Sequence, residues 1–88
     1  MAGFLHFATK AAEEAHMQFH FSLADGKSVA DKGVQELEDA VQAGEAADVL
    51  AKRVAREKPD LVTGDFAIVV SDEDGEEVYR ARLAENAG

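Results

Sequence analysis

The chain has 88 residues, of which 47% are hydrophobic and 31% charged, and its formal net charge is −9. This length and composition predict one folded domain with a single modest core. The negative charge opposes binding to nucleic-acid phosphates or to an anionic membrane surface. The absence of cysteine excludes disulfides, thiolate zinc sites and cysteine nucleophiles, and it fits a cytoplasmic location, which we expect for this protein.

Residues 1–16 differ from the rest of the chain, because the regular hydrophobic pattern begins only at Met17. They contain a segment that can form a short helix with Thr9 as its N-cap. They lack the basic start of a secretory signal peptide and carry Glu13 and Glu14 instead. We therefore expect residues 1–16 to be an amino-terminal extension that is dispensable for folding.

Two Asp-Gly pairs, Asp25-Gly26 and Asp74-Gly75, indicate two β-hairpins with two-residue turns. For the second hairpin, this turn predicts one apolar face and one mixed face, as a sheet covered on one side requires. The apolar face pairs Val70 with Tyr79, Ile68 with Ala81, and Phe66 with Leu83. The mixed face pairs Ser71 with Val78, Val69 with Arg80, and Ala67 with Arg82.

The same reasoning applied to the first turn predicts a clear aromatic face on its first strand and a poorly patterned second strand. The predicted pairs are Leu23 with Ser28, Phe21 with Ala30, and Phe19 with Lys32 on the apolar side. On the opposite side they are Ser22 with Val29 and His20 with Asp31. Because the second strand is rich in charged residues, we expect it to form an edge of the sheet.

A helix is predicted between the hairpins, with Asp39 as its N-cap and Pro59 ending it. Its apolar residues recur every three or four positions and are mostly small, which favours close packing on a sheet. This stripe contains Ala40, Ala43, Gly44, Ala47, Leu50, Ala51 and Val54. Asp48 with Lys52, and Arg53 with Glu57, are spaced as ion pairs on the solvent side, and Val49 does not fit the pattern.

The predicted fold class is α+β, with the element order β-β-α-β-β. Two antiparallel hairpins form the sheet, and the amphipathic helix packs on one of its faces. We assign residues 17–84 to this single domain and residues 85–88 to a flexible tail. The sequence does not determine the order of the hairpins in the sheet.

Three segments, QFHFSLADG, ADKGVQELED and FAIVVSDEDGEEV, resemble a family of short uncharacterised bacterial proteins found mostly in alphaproteobacteria. That family opens with an aromatic-Phe-His strand and an Asp-Gly turn, continues with Asp-x-x-Gly-x-Glu-Leu-Pro-Asp and an Ala-rich helix, and closes with a strand ending in Asp-x-x-Gly. The resemblance spans residues 17–83, and the matching positions are Phe19, His20, Asp25, Gly26, Asp31, Gly33, Leu37, Asp39, Asp72 and Gly75. This chain departs from the pattern at Glu38, where proline is usual, in one more residue between Gly33 and Leu37, and in its extension. The resemblance implies the fold and leaves the function open, since the family is a domain of unknown function.

No metal site, cofactor or catalytic residue is predicted. His16 and His20 on one strand would lie about 13–14 Å apart, which is too far for them to share a zinc ion. Ser22 would lie about 7 Å from His20 along the strand, beyond a direct hydrogen bond. The acidic loop around Gly75 does not place oxygen ligands at the positions that an EF-hand requires.

The candidate site is an interaction patch formed by His20, Asp31, Arg80 and Arg82 on the uncovered face of the sheet. His20 and Asp31 can form an ion pair that only positions the hairpin, or they can belong to a small recognition surface. We expect a non-enzymatic protein-interaction domain that uses this face or a sheet edge, with an unidentified partner protein or a second copy as its partner. The alternatives are an acidic inhibitor or antitoxin-like module that neutralises a basic partner, and a small enzyme that uses His20.

A chain that begins at Met17 is expected to fold like the full chain, because the patterned strands and helix all follow that residue. Circular dichroism and urea unfolding of the two chains provide the comparison. A truncated chain without a cooperative unfolding transition would contradict the domain boundary at residue 17.

Overall fold

The computed structural model describes residues 17–87, and it confirms the predicted α+β architecture. The two hairpins form one four-stranded antiparallel sheet, and the main helix lies between them in sequence. Two short elements, a 3-10 helix before the third strand and a helical turn after the fourth, are additional to the prediction. The elements are β1 (Met17–Ala24), β2 (Val29–Leu37), α1 (Ala40–Glu57), the 3-10 helix (Pro59–Thr63), β3 (Ala67–Ser71), β4 (Glu77–Arg82) and α2 (Leu83–Asn86).

The strand order in the sheet is β2-β1-β3-β4, so the first strands of the two hairpins are neighbours at its centre. β1 and β3 pair antiparallel, with Phe21 opposite Val70 and Leu23 opposite Ile68. This pairing joins the most apolar strand of each hairpin. β2 is therefore an edge strand, as its charged sequence predicts.

The predicted register of the second hairpin is confirmed through most of its length, including Val70 opposite Tyr79 and Ile68 opposite Ala81. It is wrong beside the turn, where Ser71 pairs with Glu77 instead of Val78. A bulge separates this pair from the pair of Val70 with Tyr79. Gly75 has a φ of 84°, whereas no residue other than glycine has a positive φ within residues 17–87. A type I′ turn needs a positive φ at both central residues. Asp72 instead holds a longer loop, by accepting hydrogen bonds from the amides of Asp74 and Glu76 at 2.9 and 3.0 Å.

The predicted register of the first hairpin is wrong. Leu23 lies opposite Ala30, and Phe21 lies opposite Gly33. The turn contains four residues, because the side chain of Asp25 accepts hydrogen bonds from the amides of Lys27 and Ser28 at 2.9 and 2.7 Å. Further along β2 a bulge leaves Lys32 without an opposite residue.

α1 begins after Asp39, whose carboxylate accepts a hydrogen bond from the amide of Gln42 at 2.9 Å, as predicted. It ends at Glu57, just before Pro59. The buried residues of the helix are small apart from one valine, and they are Ala43, Gly44, Ala47, Ala51, Val54 and Ala55. Leu50 is partly buried and packs against the core. Ala40, which the prediction placed on the sheet-facing side, is exposed. No helix within residues 17–87 is long and apolar enough to cross a membrane.

The core lies between α1 and the β1, β3 and β4 strands. Its largest fully buried side chains are Phe19, Phe21, Ile68, Leu83 and Val70. The 3-10 helix adds Leu61 and Val62 at its margin. Leu83 begins α2, and this helical turn includes residues 85 and 86 of the predicted tail. The extension of residues 1–16 lies outside the described residues.

We expect Gly33→Ala to destabilise the protein by roughly 1–2 kcal/mol, because Gly33 has a φ of 102° at the β2 bulge and side chains are strained in that region. A Cβ atom at this position would meet no neighbour, so the cost is that of the backbone alone. Gly64→Ala is the matched control, since Gly64 has a φ of −99°. Urea unfolding measures both variants, and an equal loss of stability in the two would contradict this role of Gly33.

Candidate interaction surface

One side of the sheet carries α1, and no described element packs on the other side. Directly paired residues of an antiparallel sheet share a side, so the register assigns each paired strand residue to one of the two. We call the side without the helix the uncovered face. Its members are Gln18, His20, Ser22, Ala24, Val29, Asp31, Val34, Glu36, Ala67, Val69, Ser71, Glu77, Arg80 and Arg82.

His20 and Asp31 are in contact, although not as directly opposed residues. The strand pairing places Val34 opposite His20, and Ser22 opposite Asp31. The β2 bulge lets the Asp31 side chain reach across diagonally. The ring Nε2 of His20 donates to Oδ1 of Asp31 at 2.8 Å, and the amide of Gly33 donates to the same oxygen at 2.8 Å.

These two hydrogen bonds hold the pKa of the Asp31 carboxyl below its ordinary value of 3.8. The amide of Gly33 is the larger cause and the His20 side chain the second. Both donors stabilise the ionised carboxylate. Asp31 is therefore an anion near neutral pH, fixed at the middle of β2 by the bulge, although its side chain is largely exposed.

Arg80 and Arg82 lie at the opposite edge of the uncovered face, on β4. The guanidinium of Arg80 donates to both carboxylate oxygens of Glu77, at 2.9 and 3.1 Å, and this contact raises the pKa of Arg80. Arg82 lies 3.8 Å from a carboxylate oxygen of Asp65. Each arginine thus has an acidic neighbour within this chain.

The four predicted site residues therefore form two separate groups. Asp31, Ser22, Val69 and Arg80 follow one another in a single row across the four strands. Three strand spacings separate Asp31 from Arg80, which is about 14 Å. A recognition patch on this face must consequently be large enough to include both groups.

Two exposed valines lie beside Asp31 on the same face. Val29 is 73% exposed and Val34 is 59% exposed. The free edge of β2 is less suited to a partner strand, because it contains the bulge and the charged residues Asp31, Lys32 and Glu36. Bulges and charges are devices that prevent pairing at sheet edges. The uncovered face is therefore better suited to a partner than the free edge of β2.

The sequence predicts no metal site, and it leaves a small enzyme that uses His20 as an alternative. Within residues 17–87, no three His, Cys, Asp or Glu side chains converge as a metal site would require. His16 lies outside the described residues. The Nε2 atom of His20 is hydrogen-bonded to Asp31.

The contact between Asp48 and Tyr79 was missed by the sequence reasoning, which paired Asp48 with Lys52. Neither this ion pair nor the predicted pair of Arg53 with Glu57 is present among the described residues. The phenol of Tyr79 instead donates to the two carboxylate oxygens of Asp48, at 2.9 and 3.0 Å. The sequence did contain a sign of this contact. Asp48 lies one helical turn after Gly44, a residue of the predicted sheet-facing stripe, and is therefore on the same side of the helix.

This contact is at the edge of a depression of about 370 Å³ between α1 and β4. We call the depression the α1–β4 slot, and it is lined by Ala40, Val41, Gly44, Glu45, Asp48 and Tyr79. The pKa of Tyr79 is raised above its ordinary value of 10.0, first by the hydrogen bond to Asp48, then by burial, and to a smaller extent by the charges of Asp48 and Glu85.

Asp48→Asn is expected to lower the pKa of Tyr79 toward 10.0, because it removes the carboxylate that accepts the hydrogen bond of the phenol and whose negative charge opposes the phenolate. In the wild type, the stability from this raised pKa is complete below pH 10 and is lost as the pH rises through the folded value. Ultraviolet titration follows Tyr79 without interference, since it is the only tyrosine and the chain has no tryptophan. Glu45→Gln is the control, and equal pKa values in the wild type and Asp48→Asn would contradict the effect of Asp48.

A family model described as a domain of unknown function, DUF6894, matches residues 18–84. The match covers more than half of the chain and includes α1 and the four strands apart from Met17. No curated protein and no solved structure matches the chain. The expectation of an uncharacterised domain family is confirmed, and the chain belongs to the DUF6894 family.

Proposed function

We propose that this chain is a small protein-interaction domain without catalytic activity, and that it binds a partner protein through the uncovered face. The observation that carries the proposal is the pair of exposed valines, Val29 and Val34, on a face that also bears His20 and Asp31. Exposed apolar side chains surrounded by polar groups are typical of surfaces that other proteins cover.

The charged groups of this face support the same proposal. A buried charge is costly when it has no partner, and a surface charge with a partner in its own chain is less costly to cover. Asp31 accepts two hydrogen bonds, and Arg80 makes two to Glu77. A partner can therefore cover these residues without leaving them unpaired.

The partner is a different protein or a second copy of this chain, and the net charge of −9 argues against nucleic acid and anionic membranes. A bacterial origin, which the sequence resemblance suggests, and a cytoplasmic location form part of the proposal. An inhibitor of a basic protein is the second candidate function, because the α1–β4 slot carries Glu45 and Asp48 at its rim. Such an inhibitor would bind with an affinity that falls steeply as salt is added.

The test compares two valines of nearly equal exposure. Val34 on the uncovered face is 59% exposed, and Val49 on α1 is 60% exposed. If the partner is a different protein, we expect the wild type and Val49→Asp to capture it from the source cells and Val34→Asp not to capture it. If the partner is a second copy, we expect the wild type and Val49→Asp to associate as concentration rises and Val34→Asp to remain monomeric. Affinity capture with mass spectrometry and sedimentation equilibrium provide the two measurements.

A second set of variants tests the β4 half of the face. Arg80→Glu/Arg82→Glu is compared with Lys52→Glu/Arg53→Glu, which makes the same change of charge at exposed positions of α1. Urea unfolding first establishes that each variant is folded. If both sets of variants recover the same proteins as the wild type and show the same sedimentation, the proposed use of the uncovered face is wrong.

A further inference from the structure

The α1–β4 slot is on the helix side of the sheet, so it is separate from the uncovered face. Tyr79 pairs with Val70, a core residue on the helix side, whereas Arg80 pairs with Val69 on the uncovered face. β4 is the last strand of the sheet, and the slot is therefore accessible from that edge. A ligand in the slot would leave the surface proposed above free.

Most of the slot is apolar. Ala40, Val41 and Gly44 line it from α1, and the ring of Tyr79 lines it from β4. Gly44 lets the helix approach the ring closely, since a Cβ atom there would be 3.1 Å from two ring carbons. Val41 is 70% exposed and leaves an apolar side chain at the mouth of the slot.

The polar part of the slot is negative. Glu45 and Asp48 are three positions apart on α1, so they lie on neighbouring parts of one helix surface. The Asp48 carboxylate accepts from Tyr79 and retains further acceptor capacity, because two carboxylate oxygens offer about four sites. Glu45 is exposed and forms no ion pair within the described part of the chain. Glu85 adds a negative charge that acts on Tyr79.

We propose that the α1–β4 slot binds an arginine side chain of a partner polypeptide. Arginine combines an apolar stem with a cationic end, which matches an apolar slot with an acidic rim. Its stem would lie along Val41 and Tyr79, and its guanidinium would reach the carboxylates of Glu45 and Asp48. The planar guanidinium donates to two oxygens at once and packs well beside aromatic rings, which favours arginine over lysine. This inference does not depend on the uncovered face.

The probe is N-butylguanidinium, which reproduces the end of an arginine side chain, and N-butylurea is its uncharged counterpart. Each is titrated into the isotope-labelled full chain and followed by NMR. We expect saturable shifts with N-butylguanidinium at Val41, Gly44, Glu45 and Tyr79, and at least threefold weaker binding of N-butylurea. The signals of His20 and Val34 should not change, which separates this site from the uncovered face.

The charge requirement is tested with Glu45→Gln and with Glu57→Gln, a matched change at the exposed end of α1. We expect Glu45→Gln to weaken N-butylguanidinium binding about two- to fivefold, the effect of losing one exposed charge pair, and Glu57→Gln to leave it unchanged. n-Butylammonium, the lysine counterpart, is expected to bind more weakly than N-butylguanidinium.

Four results would overturn the proposal. They are the absence of saturable shifts at the slot, equal binding of N-butylurea, equal effects of the two glutamine substitutions, and tighter binding of n-butylammonium. The first would exclude a binding site, the second would indicate a purely apolar pocket, the third a general attraction of cations to an acidic protein, and the fourth a preference for lysine.

Discussion

The close packing of a helix of small residues on β3 and β4 is the constraint on which the rest of the structure depends. Alanine and glycine on α1 bring the helix axis near the sheet, and the phenylalanines of β1 fill the space between them. Large side chains on the sheet and small ones on the helix allow the interior to reach a high packing density with few residues. In a domain of this length, one such layer covers one side of the sheet, and no described element covers the other side. The two sides therefore differ in character, and contacts with other molecules must use what the single core does not cover.

The same constraint produces the slot at the β4 edge. Gly44 brings the backbone of α1 against the ring of Tyr79, and the phenol is then directed to Asp48. A partly buried hydroxyl needs a hydrogen-bond partner, and the carboxylate supplies one. Closer packing of helix and sheet thus places an acidic side chain at the rim of an apolar depression. The two candidate surfaces have different origins, because one is left uncovered by the core and the other is formed where the core ends.

The elements with strong hydrophobic patterns could be predicted from the sequence, and the register of the polar strand β2 could not. β1, β4 and α1 each alternate or repeat clearly, so the side that each turns to the core follows from the residues. The register of β3 with β4 follows from matching the apolar residues of the two strands. β2 has polar or small residues on both sides, and nothing in its sequence distinguishes one register from another. Gly33 within that strand was the available sign of a bulge. The predicted contact of His20 with Asp31 is present, although the pairing from which it was predicted is wrong. Two side chains on neighbouring strands can come into contact when they are directly opposed and also when they are diagonal neighbours.

The bulge in β2 also bears on how sequences of this family can differ. One added residue in a regular strand turns every later side chain to the opposite side. Here Lys32 is the additional residue, and Val34 beyond it still shares a side with Val29 before it. A chain that lacks this one residue can pair regularly and still keep Leu37 at the margin of the core. An alignment of family members should therefore allow a gap between Asp31 and Gly33, and positions on the two sides of that gap should be compared separately.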